Sequence, residues 1–242
     1  MLPVPEYGQN KLKTHLFRRA ILVILMPFCI YPSYAEVKVM GVTAYYTGDI
    51  NGEKNQKFFN SVQGKAIRRL VITSSGGEVE AGIELGYWVH DQQVDIEIPV
   101  YCLSSCANYV FTAGNNKFIA TGAIVAWHGN YNHLLQTGLW KDDIAYRMER
   151  TGEDEDTAMM VALTVVDRLV RLEQIFFEYI GVNEYICWIG KMPPHNVPNY
   201  YFLSSDDMAR FGVGNVHTPA DYRTSNVFSV EEDIRYVSLI NE

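Results

Sequence analysis

Leu70-Val71-Ile72-Thr73-Ser74-Ser75-Gly76-Gly77 is the stretch from which the rest of the chain can be organised. Four apolar or β-branched residues end abruptly in a polar turn with two glycines. A run this short, bounded by turn residues, reads as a buried strand. Glu78 to Gln92 follows, with Val79, Ile83, Leu85, Gly86 and Val89 at helical spacing. Asp95 to Tyr101 is the next strand, and Ser105 to Ala113 suits a helix closed by Gly114-Asn115. Phe118 to Ala120 and Ala123 to Trp127 are short strands. Strands alternating with helices imply an α/β fold with a mainly parallel sheet and crossover connections.

Upstream, Val37 to Ala44 reads as a strand and Gln56 to Gln63 as a short helix. Downstream, Gly129 to Gly138 is expected to be a loop. Glu153 to Ile180 is the longest helical stretch, with Asp154, Glu155 and Asp156 complementing the dipole at its start and Gly181 stopping it. Lys191 to Pro198 contains three prolines and is irregular. Phe202-Leu203-Ser204-Ser205 opens a short helix that ends at Phe211-Gly212, and the tail from Thr218 is polar and weakly patterned.

The front of the chain has another character. Lys11, Lys13, Arg18 and Arg19 precede an apolar run, Ala20 to Ile30, too short for a comfortable membrane span. Tyr31-Pro32-Ser33-Tyr34-Ala35 then offers a helix breaker and small residues at signal-peptidase spacing. The layout is that of a secretory signal peptide over residues 1–35, cleaved after Ala35, ahead of one domain over residues 36–242. The alternative is a membrane anchor formed by residues 18–35. The mature chain would lie in the periplasm or be secreted. Cleavage changes 20 Lys+Arg and 28 Asp+Glu to 16 and 27, a net charge of −11. An acidic chain without a basic cluster argues against nucleic acid as a partner. Its length is enough for a proper core without staples. Cys102, Cys106 and Cys187 remain, and no paired Cys/His spacing suggests a zinc site, so neither metal nor cofactor is expected.

Three features carry chemistry. Gly76-Gly77 at a strand end frees backbone N–H groups to face a ligand, although a plain strand-to-helix turn looks the same. In Cys102-Leu103-Ser104-Ser105-Cys106-Ala107, a serine stands where a strand hands over to a helix, as a nucleophile or as a helix cap. His128, in Ala126-Trp127-His128-Gly129, ends another strand, as a base or as a structural histidine. Ser104 lies 28 residues after Gly76 and His128 lies 24 after Ser104, each at the C-terminal end of a strand expected in one parallel sheet.

Order, spacing and context together resemble the proteolytic subunit of Clp protease and the wider Clp/crotonase superfamily. Phe202-Leu203-Ser204-Ser205 through Phe211-Gly212-Val213 is similar to the family's later Phe-Leu-Ser-Ala segment, so the resemblance spans Leu70 to Val216. The Cys-x-Ser-x-Cys-Ala form is similar to an exported Clp-like group. The resemblance implies repeated β-β-α units with a mainly parallel sheet and a long protruding helix. It also implies an exported serine peptidase with Ser104 as nucleophile, His128 as base, and Gly76, Gly77 and Ser105 as the oxyanion hole. Ser105 is the alternative nucleophile. The family's third residue, an Asp, falls here on Tyr200. Asn199 beside it is the candidate to orient His128, with Asp206 or Asp207 as substitutes. Because that carboxylate is missing, a catalytically weak or inactive scaffold of the same fold is the competing reading. An acyl-CoA enzyme of the crotonase branch fits export poorly. Expected partners are a peptide or unfolded protein substrate and further copies of the chain in a homo-oligomer. No ATP-driven unfoldase is expected. Cys102 and Cys106 are read as two small buried thiols, the alternative being a redox lock on the site.

Overall fold

The computed structural model describes residues 37–142, 144–224 and 233–239, all within one unit spanning Tyr34–Glu242. The proposed signal peptide lies outside the described residues. Strand β1 (Val37–Met40) turns at Gly41 into β2 (Thr43–Thr47), the antiparallel edge of a six-stranded sheet. Helix α1 (Gly52–Val62) leads to β3 (Arg69–Thr73), and α2 (Val79–Asp91) to β4 (Asp95–Ile98). After β5 (Tyr101–Leu103) comes a π-helix, Cys106–Phe111, then β6 (Lys117–Ile119), β7 (Ile124–Ala126) and α3 (Tyr131–Thr137). Helices α4 (Ile144–Thr151) and α5 (Glu155–Ile180) precede β8 (Tyr200–Phe202), α6 (Ser205–Ala209), β9 (Val216–His217) and β10 (Ile234–Tyr236).

The large sheet runs β1-β2-β3-β4-β6-β9 and is parallel from β2 onward. Its inner strands read apolar because helices or a second sheet cover them. Two small parallel pairs, β5 with β7 and β8 with β10, stand beside it. The segments β4-β5-π-helix and β6-β7-α3 therefore share one plan: a strand in the large sheet, a strand in the small one, then a helix. Bridge Ser74↔Cys102 ties the end of β3 to β5, and bridge Trp127↔Tyr201 ties the end of β7 to β8. Those junctions build the site. Helix α2 packs on the π-helix where Gly82 admits Tyr109; a Cβ there would lie 2.6 Å from the Tyr109 ring.

Several expectations need correction. Val37 to Ala44 is a hairpin, because Gly41 takes a positive φ of 60°. Helix α1 begins before Gln56, since Asn51 Oδ1 accepts the Lys54 N–H at 2.9 Å and caps it. Asp95 to Tyr101 divides between two sheets around Pro99, which has no N–H to continue a ladder. The three strands before Gly76, Ser104 and His128 consequently lie in two sheets, not one. Gly129 to Gly138 contains helix α3, capped by Asn130 Oδ1 accepting the His133 N–H at 3.0 Å. Among the described residues, no helix is long and apolar enough to cross a membrane.

Candidate active site

Ser104 follows β5 with φ of 54°, a left-handed conformation that few residues other than glycine adopt. The turn ends the strand and starts the helix at once, so the hydroxyl stands at the helix N-terminus. Its Oγ lies 2.7 Å from His128 Nε2. The Ser104 N–H donates to the Ala126 carbonyl at 3.2 Å, which fixes the two strand ends together. Ser105, the alternative nucleophile, is buried and donates its hydroxyl to the Gly77 carbonyl at 2.8 Å. Position and contacts both favour Ser104.

Gly76 and Gly77 have φ of 100° and 146°. A Cβ on Gly76 would lie 2.7 Å from Ser104 Cβ and 2.8 Å from the Ser105 nitrogen. The absence of a side chain is what lets the turn lie against Ser104. The Gly76 N–H itself donates to Ser74 Oγ at 3.0 Å, so Gly76 supplies space and not a free donor, a correction to its expected role. Among the described residues, the N–H groups of Gly77 and Ser105 meet no protein acceptor. Both border a cavity of about 260 Å³ that also touches Asn108, His128, Tyr131 and Leu134.

His128 is exposed to solvent at its surface, yet protein atoms crowd around its ring and partly desolvate it. That burial, with the positive charge of Lys191 and the neighbouring His133, lowers its pKa to about 4. The imidazole is neutral at pH 7. When Nε2 accepts the Ser104 hydroxyl proton, the ring's own proton is on Nδ1.

Asn199, the residue expected to orient His128, does not reach it. Asn199 is exposed, and its carbonyl accepts from Lys191 Nζ at 3.1 Å. Among the described residues its side chain makes no hydrogen bond to His128. The antiparallel bridge Trp127↔Tyr201 instead sets Tyr200 beside the histidine, with ring centroids 4.7 Å apart. Asp207 is buried and caps α6 with Ser204, accepting from its Oγ at 2.8 Å, and Asp206 is exposed. Neither hydrogen-bonds His128.

Cys102 and Cys106 form a disulfide with Cα atoms 5.2 Å apart, a correction to the reading of two separate thiols. The left-handed turn at Ser104 folds the chain back and brings them together. Among the described residues, no group of three or more His, Cys, Asp or Glu could hold a metal ion.

Two contributors went unread in the sequence. Asn108 Nδ2 donates to the Gly129 carbonyl at 3.0 Å. Glu173 is wholly buried and meets the N-terminus of α3. A signal for Glu173 existed: it stands at core spacing with Val166, Leu169, Val170, Phe176 and Phe177 on α5.

No family model matches the chain, and no curated protein matches it. Among solved structures, it is similar to a point mutant of ClpP1 from Listeria monocytogenes at 18% identity and a TM-score of 0.33. The superposition covers 50% of this chain and 78% of that one. A superposition that loose carries no argument about function.

Proposed function

We propose that the chain is an exported serine peptidase of the Clp/crotonase class, and the 2.7 Å contact between Ser104 Oγ and His128 Nε2 is the observation that carries the reading. Ser104 Oγ attacks a peptide carbonyl carbon while His128 Nε2 takes its proton. The carbonyl oxygen, now negative, faces the free N–H groups of Gly77 and Ser105. His128 returns the proton to the leaving amine as the C–N bond breaks, leaving an acyl ester on Ser104. Water, deprotonated by His128, then hydrolyses the ester and restores the serine. The neutral imidazole is in the right state to begin this cycle.

Peptides or unfolded chains that reach the 260 Å³ cavity are the proposed substrates. We place the mature protein in the periplasm or outside the cell, as a homo-oligomer working without an ATP-driven unfoldase. The Cys102–Cys106 disulfide supports an oxidising compartment. Cell fractionation checks this, and recovery of the mature chain from the cytosol would contradict it.

A library of internally quenched peptides tests the activity. Wild type cleaves a subset, and Ser104→Ala cleaves none; equal cleavage by both would reject the assignment. The competing reading, a scaffold of the same fold, is favoured by one observation. Among the described residues, no side chain hydrogen-bonds His128 Nδ1, so the base lacks an orienting acid. That reading predicts no cleavage by wild type.

A further inference from the structure

Among the described residues no side chain bonds the second ring nitrogen of His128, yet the ring sits within hydrogen-bond distance of Ser104. The restraint comes from the backbone just after it. Asn108 lies one turn beyond the nucleophile, and its own N–H donates to the Ser104 carbonyl at 2.8 Å. Its Nδ2 donates to the Gly129 carbonyl at 3.0 Å. One residue thus ties the nucleophile's peptide unit to the residue following the base. Glu173, on α5, fastens the next part of the loop. Its Oε1 accepts from the Tyr109 hydroxyl at 2.5 Å and from the Tyr131 N–H at 3.2 Å, and its Oε2 accepts from the Asn132 N–H at 3.2 Å. Tyr109 belongs to the same π-helix as Asn108. Glu184 adds a bond from Asn132 Nδ2 at 2.6 Å.

Helix packing alone does not call for such an acid. A carboxyl group with 0% exposure among Phe176, Phe177 and Val170 is costly unless specific donors repay it. All three donors to Glu173 come from the π-helix after Ser104 or from the first turn of α3, just after His128. We propose that Asn108 and Glu173 are positioning residues that clamp the His128 loop to the nucleophile helix, in place of a carboxylate on the imidazole. The proposal rests on the serine-peptidase reading for its purpose, but the clamp has its own readout.

The full mature chain is compared as wild type, Asn108→Ala, Glu173→Ala and Glu173→Gln. Two quantities are read: the rate of Ser104 modification by a fluorophosphonate, and the imidazole ¹⁵N shifts of His128, which report its tautomer. Both alanine variants are expected to label about 10- to 100-fold more slowly, the loss expected from one or two buried hydrogen bonds. Their two ring-nitrogen shifts should converge, since the Nδ1–H tautomer is no longer held. Glu173→Gln keeps an acceptor for Tyr109 and Tyr131 but sets its Nε2 against the Asn132 N–H, and should label at a rate between those of wild type and Glu173→Ala. Alanine variants that label at the wild-type rate with unchanged imidazole shifts would overturn the proposal. Should Glu173→Ala fail to fold, Asn108→Ala decides by the same criteria. If wild type does not label but the shifts move in the variants, the peptidase reading fails and the clamp stands.

Discussion

Ser104 joins the chemistry proposed for this protein to its backbone strain in one residue. Its φ of 54° costs about 1–3 kcal/mol, which the surrounding turn must offset. The conformation survives because Gly76 leaves room beside it. Gly76→Ala is expected to displace Ser104, lowering fluorophosphonate labelling by at least about tenfold while the chain still folds, since a misplacement near 1 Å suffices for such losses. Wild-type labelling in that variant would refute the role given to the turn. His128 supplies a pH prediction. Its pKa is held to about 4, so the base is deprotonated above that value. Labelling of Ser104 should rise as pH increases through about 4 and be level by pH 6; a midpoint near 7 would show that the cover and the Lys191 charge do not act as described. At this scale the pairing of Ser104 with His128 was legible in sequence through order and spacing, although either residue alone reads equally well as a helix cap or a structural histidine. The third position was not. Tyr200 occupies it by register, and no local pattern distinguishes an orienting residue from a ring that merely packs.

Between residues and the whole fold, the π-helix and the disulfide bracket the turn that carries Ser104. Cys102 and Cys106 bracket Ser104 and are both wholly buried. Closing so short a loop is expected to stabilise the fold by about 2 kcal/mol on the chain-entropy account. The double variant Cys102→Ala/Cys106→Ala should lose about that much in denaturant unfolding and label more slowly; equal stability and rate would leave the bridge without a role. Three residues between cysteines look too close for a structural staple until the left-handed turn is known, so in sequence the bridge stood only as the alternative to two buried thiols. Helix α3 was missed for a related reason. Tyr131 to Thr137 is short and mixed in polarity, and its start depends on Asn130 and on Glu173, which lies 42 residues beyond Tyr131. The long helix α5, by contrast, declares itself through its acidic start, its Gly181 stop and its apolar stripe.

Across the whole molecule, the parallel α/β arrangement followed from alternating strands and helices. Its division into a large sheet and small companion pairs did not, because Pro99 is the sole local sign that β4 and β5 part. Glu173 joins α5 to the site at this scale and links stability to pH. Burial raises its pKa from 4.5 to about 7, despite hydrogen bonds that pull it down. Folding therefore favours the protonated form. The stability this contributes is complete below about pH 4.5 and is lost as pH rises toward 7, by up to about 3 kcal/mol. Relative to wild type, Glu173→Gln should gain stability progressively over that window in thermal or denaturant unfolding. A difference that does not change with pH would contradict the burial of a titrating carboxyl there.

Everything proposed for this protein turns on Ser104 and His128 acting as a working pair. Intact-mass analysis of the mature chain after fluorophosphonate treatment, with peptide mapping of the adduct, puts that pairing to the test. One adduct is expected, on Ser104, lost in Ser104→Ala and strongly reduced in His128→Ala. An unmodified wild-type chain, or an adduct that persists in Ser104→Ala, would contradict it.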